Sequence, residues 1–142
     1  MFVYAIYNRE GSPETTEKNK FDDVAKGSYY ENAVAWALAN NIVAGYDDKH
    51  YAPNESISRE QMAAILWRYA KFKNYDVSVS EDMNVLNFKD AEQISAYAAP
   101  AIRWAVKDGI ITGFEDNTMR PKENANRAQM AVIFNKISNL IN

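Results

Sequence analysis

The sequence predicts a mainly α-helical protein built from repeated helix–loop–helix units. Apolar residues recur at helical spacing, as in the stripe that runs from Tyr30 to Leu38. The helix start at 58–61, Ser-Arg-Glu-Gln, returns at 126–129 as Asn-Arg-Ala-Gln. Two copies of a longer pattern align at an offset of 68 residues, which places Trp36 on Trp104. Self-similarity at a fixed period of this length indicates a repeated structural unit.

Composition and charge narrow the class of protein. The 142 residues include 47% hydrophobic and 25% charged side chains, and we expect one globular domain with one sizeable core. A formal net charge of -3 without a basic run argues against a nucleic-acid partner. The chain has no cysteine, which excludes disulfides and thiolate metal sites. Its single histidine, His50, argues against a catalytic triad or a multi-histidine metal site, so we expect no cofactor and no metal.

No apolar run approaches the roughly 18 residues of a membrane-spanning helix, so we expect no membrane insertion. Residues 1–7, MFVYAIY, carry neither a basic leader nor a small-residue cleavage site. A signal peptide is therefore not expected within this chain.

The chain opens with a short amphipathic helix whose apolar side carries Phe2 and Ile6. A Gly-Ser-Pro sequence ends this helix, because glycine closes helices and proline cannot continue them. We assign residues 1–13 to the terminal helix and the polar residues 14–20 to a linker.

We assign the first complete repeat to residues 21–73. It begins with a Phe-x-Asp-Val motif and continues into the helical stripe already described. Two asparagines at 40–41 end that helix, because asparagine tolerates the left-handed conformation. A short extended segment with a glycine bend follows at 42–46, then a loop, and the second helix begins near Ser58.

Residues 74–87 are polar and lack periodicity, so we assign them to a second linker. The second repeat, at 88–142, contains the same elements in the same order. The alignment places Gly109 on Asn41, and both residue types adopt positive φ at helix ends. When two repeats meet the same backbone requirement with different residues, the structure itself is repeated, and not only the composition.

Residues 1–10 fit the same pattern. Aligning Phe2 with Met62 places Ile6 on Leu66, so we interpret this segment as the end of an earlier arginine-opened helix. The chain is then expected to hold two complete units and the last helix of a third, whose own arginine is missing.

Together these motifs resemble the S-layer homology (SLH) domain of bacterial surface proteins. The first repeat carries Phe-x-Asp-Val, Ala-Val-Ala-Trp-Ala, Asn-Ile-Val-Ala-Gly and Ser-Arg-Glu-Gln, and the second carries Phe-Lys-Asp-Ala, Ala-Ile-Arg-Trp-Ala, Gly-Ile-Ile-Thr-Gly and Asn-Arg-Ala-Gln. The resemblance implies three units packed as a pseudo-threefold spindle, here with the first unit incomplete. It also implies a non-catalytic, extracellular anchor at a Gram-positive cell wall or S-layer. In that family, grooves between units bind secondary cell-wall polysaccharide, often through pyruvylated N-acetylmannosamine.

The chain departs from the family pattern at two points. The Thr-Arg-Ala-Glu signature has glutamine, Gln61 or Gln129, at its acidic position, which keeps the helix cap but removes a charge. The first unit is truncated, so one groove lacks its arginine unless other sequence supplies it.

Arg59 and Arg127 are the leading candidates for contact with an acidic sugar. A guanidinium pairs with a carboxylate through two parallel N–H bonds, and the adjacent helix N-terminus adds positive potential. The structural alternative for each arginine is a salt bridge to a loop carboxylate, Asp48 or Asp116.

The other candidates are expected around the arginines, on the helical stripes, in the helix caps, and in loops 45–51 and 113–119 of neighbouring units. Each type has a structural alternative, which is core packing for tryptophan, an ordinary bend for glycine and helix capping for glutamine. These carbohydrate-binding candidates are Trp36, Trp104, Gly45, Gly113, Tyr46, Phe114, Asp48, Asp116, Gln61 and Gln129.

Acidic pairs such as Asp22-Asp23 raise calcium binding and glycoside hydrolysis as alternatives. The chain has no Asp-x-Asp-x-Asp-Gly loop, and the pairs recur once per unit, as turn and cap residues do. We therefore expect no enzymatic activity. A further alternative is a structural assembly module, in which another copy or chain completes the truncated unit and buries the apolar side of residues 1–10.

Overall fold

The chain is described by a computed structural model that covers residues 2–14, 21–43, 57–78 and 88–141. No strand occurs within these ranges, and an isolated antiparallel bridge joins Ser58 to Asn124. A short 3-10 helix spans Ala91–Gln93. The α-helices of the described ranges are α1 (Phe2–Arg9), α2 (Glu31–Ala39), α3 (Arg59–Phe72), α4 (Ala99–Lys107) and α5 (Arg127–Ile141). The prediction of a mainly α fold is confirmed.

The helices repeat at the spacing that the sequence predicts. Helices α2 and α4 each contain nine residues, and their first residues, Glu31 and Ala99, lie 68 positions apart. The same offset separates Arg59 from Arg127, the first residues of α3 and α5. The sequence repeat is therefore also a repeat of secondary structure.

The ends of α2 and α4 show the same repetition in the backbone. Asn41 has a φ of 60° and Gly109 a φ of 72°, so the predicted left-handed residue is present at both helix ends. In both repeats the amide of the next residue donates a hydrogen bond to the carbonyl five positions earlier. The donor–acceptor distance is 2.9 Å for the Ile42 amide and 2.8 Å for the Ile110 amide. One backbone motif thus closes both helices, with asparagine in one repeat and glycine in the other.

Both arginine-opened helices begin with a reciprocal cap. The Ser58 hydroxyl accepts from the Gln61 amide at 3.2 Å, and the Gln61 side-chain oxygen accepts from the Ser58 amide at 2.9 Å. Asn126 and Gln129 form the equivalent pair, at 2.8 and 3.0 Å. Each cap satisfies two backbone amides at a helix start, a contribution of about 1 kcal/mol.

The chain divides into two compact units, Met1–Glu55 and Ser56–Asn142. In the first unit, α1 packs on α2 and buries Phe2 and Ile6, while the Tyr7 ring meets Trp36 with 5.6 Å between centroids. In the second unit, α3 packs on α4. Each compact unit therefore joins the last helix of one sequence repeat to the first helix of the next.

The packing of α1 bears on the assembly alternative. That alternative rested on an apolar side of residues 1–10 without a partner. In the structure α2 provides the partner within the same compact unit, and Val3 and Tyr7 are buried together with Phe2 and Ile6. The structure gives no support to a second chain at this position.

Candidate functional site

Arg59, the first residue of α3, is buried with 5% of its surface exposed. Its Nε donates to the carbonyl of Met119 at 2.9 Å, and one terminal nitrogen, Nη2, donates to the carbonyl of Thr112 at 3.0 Å. The guanidinium also lies over the Phe114 ring, 4.7 Å from its centroid. Burial lowers the pKa of Arg59 from its ordinary value, although a guanidinium remains charged at any physiological pH.

These contacts differ from the salt bridge considered as the structural alternative. Asp116 instead accepts from Thr118 and from Arg120, whose Nη2 lies 3.2 Å from the carboxylate. Asp48 lies outside the described residues. Arg59 is thus bound to two main-chain carbonyls, and it holds the ends of the segment 112–119, called here the clamped loop.

The Phe-x-Asp motif holds the same loop from the other side. The Asp90 carboxylate accepts from the backbone amides of Met119 and Arg120, each at 2.7 Å. Met119 is therefore fixed through its amide by Asp90 and through its carbonyl by Arg59. Arg120 has a φ of 53°, which is uncommon outside glycine and needs such support from its surroundings.

Phe114 lies at the centre of the clamped loop. The guanidinium of Arg120 lies over its ring at 3.9 Å from the centroid, in addition to that of Arg59. Contacts between a cation and an aromatic face contribute about 0.5 to 2 kcal/mol, more when water is excluded. The ring is held by two charged neighbours and forms part of the wall of a cavity beside Arg59.

Gly113 is required by packing. A β-carbon at this position would collide with the ring of Phe88, the first residue of the Phe-x-Asp motif. The sequence alone left a close approach to a ligand and an ordinary bend as equal explanations. The structure shows a third reason, which is that a neighbouring aromatic ring occupies the space of a side chain.

The N-terminus of α3 is closed by the chain itself. The amide of Arg59 donates to the carbonyl of Glu123 at 2.9 Å, and that of Glu60 donates to Pro121 at 3.0 Å. The amide of Gln61 is bound by the Ser58 cap. These three amides are therefore not available to a ligand, and the contribution of this helix end to the potential of a binding site stays a prediction.

The cavity beside Arg59 has a volume of about 320 Å³. One wall comes from the clamped loop and the residues before it, and the other comes from the first three turns of α5. Aliphatic and aromatic side chains dominate the lining, with Lys136 as a second cationic residue. The lining residues are Arg59, Ile110, Ile111, Thr112, Gly113, Phe114, Ala128, Gln129, Val132, Ile133 and Lys136.

Glu60, the next residue of α3, is only 3% exposed. Its buried carboxylate was missed by sequence reasoning. Its oxygens accept from the amide and hydroxyl of Ser95 at 2.9 and 2.8 Å, and from Lys122 at 2.7 Å. Burial alone would raise the pKa of Glu60, but the bonds from Lys122 and Ser95 outweigh it and lower the pKa below its ordinary value of 4.5. The sequence held one sign that Glu60 is distinctive, because the aligned residue of the second repeat is Ala128.

The Tyr97 hydroxyl also lies near this carboxylate, 3.5 Å from the Glu60 Oε1 atom. Burial and the Glu60 charge raise the pKa of the Tyr97 phenol above its ordinary value of 10.0, so the ring stays neutral. The group formed by Glu60, Ser95, Lys122 and Tyr97 connects the start of α3 to the segment before α4.

The two candidate tryptophans are core residues. Trp36 is 5% exposed and Trp104 is 0% exposed, so neither presents a ring face to a ligand. We leave both out of the proposed site. Arg127 begins α5, and its side chain lies outside the described part of the structure. Three further candidates lie outside the described residues, namely Gly45, Tyr46 and Asp48.

Within the described ranges, no group of three or more His, Cys, Asp or Glu side chains could hold a metal ion. The helices of those ranges are also too short or too polar to cross a membrane. The site in the second compact unit is therefore a cavity with one buried and one exposed cation and no metal-ligand cluster.

The repeated helical pairs with capped arginine-opened helices define a class of repeat proteins, and comparison with known families identifies which one. The S-layer homology domain profile matches residues 20–63 and 87–131. These segments include more than half of the chain. The protein belongs to the S-layer homology domain family, as the sequence motifs predict. Domains of this family in surface-layer and cellulosome-anchoring proteins are non-catalytic modules that anchor to the cell wall.

The chain is similar to segments of much longer proteins of Gram-positive bacteria. It is 37% identical over 121 residues to an amylopullulanase of Thermoanaerobacterium thermosulfurigenes, a match that covers 84% of this chain and 6% of that enzyme. It is 28% identical to the surface-layer 125 kDa protein of Lysinibacillus sphaericus, over 82% of this chain and 10% of that protein. It is 25% identical to the cellulosome-anchoring protein of Acetivibrio thermocellus, over 96% of this chain and 30% of that protein. The chain thus spans less than a third of each of these relatives.

Proposed function

We propose that this chain is a non-catalytic module that anchors a bacterial surface protein by binding cell-wall polysaccharide, and that an acidic sugar occupies the cavity beside Arg59. The observation that carries the proposal is the clamped loop. Two carbonyls of the loop are bound by Arg59, and two amides at its end are bound by Asp90. A rigid wall of this kind positions binding groups without an ordering cost on binding.

The two arginine nitrogens that bind the loop are not available to a ligand. The remaining terminal nitrogen, Nη1, makes no hydrogen bond within the described residues. Lys136 faces the same cavity, lies on the exposed side of α5 and forms no ion pair within the described residues. We therefore assign the positioning of the loop to Arg59 and the main contact with a ligand carboxylate to Lys136.

The rest of the lining suits a sugar with an acidic and an apolar part. Val132 and Phe114 offer apolar surface to ring C–H groups or to the methyl group of a pyruvyl ketal. Gln129 lines the cavity, and its side-chain oxygen is used in the cap, which leaves its amide nitrogen as a donor for hydroxyl oxygens. A pyruvylated amino sugar combines these features, and we propose it as the ligand class.

We extend the proposal to the second arginine-opened helix by the repeat. Arg127 begins α5 as Arg59 begins α3, after an equivalent cap. Two sites that engage one polymer gain strength from effective concentration, so modest affinity at each is sufficient for anchoring. The proposed location is the cell surface.

The test is sedimentation of the 142-residue chain with purified walls of Thermoanaerobacterium thermosulfurigenes, Acetivibrio thermocellus and Lysinibacillus sphaericus. Each wall is compared before and after removal of its secondary polymer with hydrofluoric acid. We expect sedimentation with at least one intact wall and its loss after removal of the polymer. Equal binding to intact and stripped walls would contradict the proposal, and so would the absence of binding to every intact wall.

A further inference from the structure

Two tyrosines are exposed at the same position of the two repeats. Tyr29 is 64% exposed and Tyr97 is 51% exposed, and each lies two residues before the first residue of its helix, α2 or α4. The offset between them is the 68 residues of the repeat. From the sequence, Trp36 and Trp104 were one of the aromatic pairs expected to contact a sugar, but those rings are buried.

Packing does not explain why both positions carry tyrosine. The Tyr29 ring is held by edge contacts with Tyr4 and Tyr30, each with 5.0 Å between centroids. Tyr97 has no equivalent ring contact within the described residues, and its hydroxyl lies near Glu60. The neighbours differ, while both repeats carry an exposed tyrosine at this position.

The other exposed large apolar residues of the described part lack this repetition. Phe72 aligns with Leu140, and Val132 aligns with Ala64, which is buried. An isolated apolar side chain on a surface needs no special explanation. A pair of exposed rings at one repeat position, with orientations fixed by different neighbours, indicates a role on the outer surface.

We propose that Tyr29 and Tyr97 are platforms on which pyranose rings of the wall polysaccharide stack. This inference rests on the proposed polysaccharide-binding function and adds a second kind of contact to it. One face of a pyranose presents several C–H groups, which pack against the electron-rich face of an aromatic ring. A polymer presents such faces repeatedly, so a ring in each repeat matches a ligand with many similar sugars.

The polar groups beside Tyr97 suit the same ligand. The Tyr97 hydroxyl lies near the Glu60 carboxylate, which also accepts hydrogen bonds from Ser95 and from the exposed Lys122. A stacked sugar keeps its hydroxyl groups at the ring edge, where side chains of this type donate and accept hydrogen bonds. The platform at Tyr97 therefore has both the apolar face and the polar border that a pyranose requires.

The test uses the full chain and walls of the three named species with intact polymer. Tyr29→Leu and Tyr97→Leu remove the aromatic face but keep apolar bulk, and Tyr29→Phe and Tyr97→Phe keep the face. We expect each leucine variant to bind about 3- to 10-fold more weakly, the double variant to lose roughly the product of the two factors, and the phenylalanine variants to bind as the unaltered chain does. Phe72→Leu is the matched control and should not change binding.

Circular dichroism and urea unfolding identify variants that are folded, and only these are compared. The inference is wrong if folded leucine variants bind like the unaltered chain while that chain still distinguishes intact from stripped walls. It is also wrong if the phenylalanine variants lose as much as the leucine variants, since the hydroxyl and not the ring would then be responsible. If the unaltered chain fails to distinguish the walls, the proposed function fails first and this inference fails with it.

Discussion

Removal of the Arg59 side chain should release the clamped loop. In Arg59→Ala the buried carbonyl of Met119 loses its donor, which costs about 1 to 3 kcal/mol, and the carbonyl of Thr112, an exposed residue, loses a hydrogen bond worth about 0.5 to 1.5 kcal/mol. The variant also loses the guanidinium contact with Phe114, worth about 0.5 to 2 kcal/mol. We expect the free energy of unfolding to fall by about 3 to 5 kcal/mol, a large part of the roughly 5 to 15 kcal/mol that is usual for a domain.

The assay is equilibrium unfolding in urea, followed by tryptophan fluorescence. In a Trp36→Phe background the remaining tryptophans, Trp67 and Trp104, both report on the compact unit Ser56–Asn142. Arg59→Lys should give an intermediate loss, because an ammonium keeps the charge but lacks the planar donors that bind two carbonyls.

Arg120→Ala is the matched control for Arg59→Ala. The Arg120 side chain also contacts Phe114, but it is 40% exposed and its ion pairs with Asp116 and Glu123 lie at the surface, so we expect a loss below about 1 kcal/mol. If Arg59→Ala costs no more than the control, Arg59 does not hold the loop, and the reasoning on the cavity wall is refuted.

Three further predictions follow from the same contacts. Gly113→Ala should destabilise the chain by about 1 to 3 kcal/mol because its β-carbon overlaps the Phe88 ring, and Phe88→Leu should recover part of that loss in a double-mutant cycle. Glu60 has a folded pKa below its ordinary value of 4.5, so its stabilisation is present above that value and is lost as the pH falls through the lower folded pKa. Glu60→Gln should flatten stability against pH in this window. Lys136→Ala should weaken wall binding severalfold without a change in urea unfolding, and Lys136→Glu should weaken it further.

Each of these has a result that would count against it. A fully stable Gly113→Ala would show that the Phe88 ring moves away at no cost. If the free energy of unfolding falls at low pH in Glu60→Gln as it does in the unaltered chain, other carboxylates are responsible for the pH dependence. Unaltered wall binding in Lys136→Glu would remove Lys136 from the site.

Local features of the fold could be predicted from the sequence. The reciprocal caps at Ser58 and Asn126 depend on residues three positions apart, and the positive φ at Asn41 and Gly109 depends on residue type at a helix end. Such features depend on residues within a few positions of the helix end. The repeat strengthened these predictions, because each feature appeared twice at the same offset.

The contacts that shape the site were beyond sequence reasoning. The carbonyls bound by Arg59 belong to residues 53 and 60 positions away, and Ser95, which binds Glu60, is 35 positions away. Main-chain acceptors carry no sequence signal, since every residue has one. Only the exchange of glutamate for alanine between repeats marked Glu60 as distinctive.

The aromatic residues show a related difficulty. Helical spacing alone does not separate a tryptophan at the edge of an apolar stripe from one in the core, and both Trp36 and Trp104 proved to be buried. The exposed pair, Tyr29 and Tyr97, lies outside the helical stripes, where periodicity makes no prediction. The repeat offset was the signal that could have found them.

The central claim is that this chain binds an acidic sugar of the wall polymer. It is tested most directly by calorimetric titration of the chain with polymer released from a wall that it sediments with, before and after chemical reduction of the polymer carboxylates to alcohols. We predict that the native polymer binds, that added salt weakens the binding, and that carboxyl reduction abolishes it. Equal affinity for the native and the reduced polymer would contradict the claim.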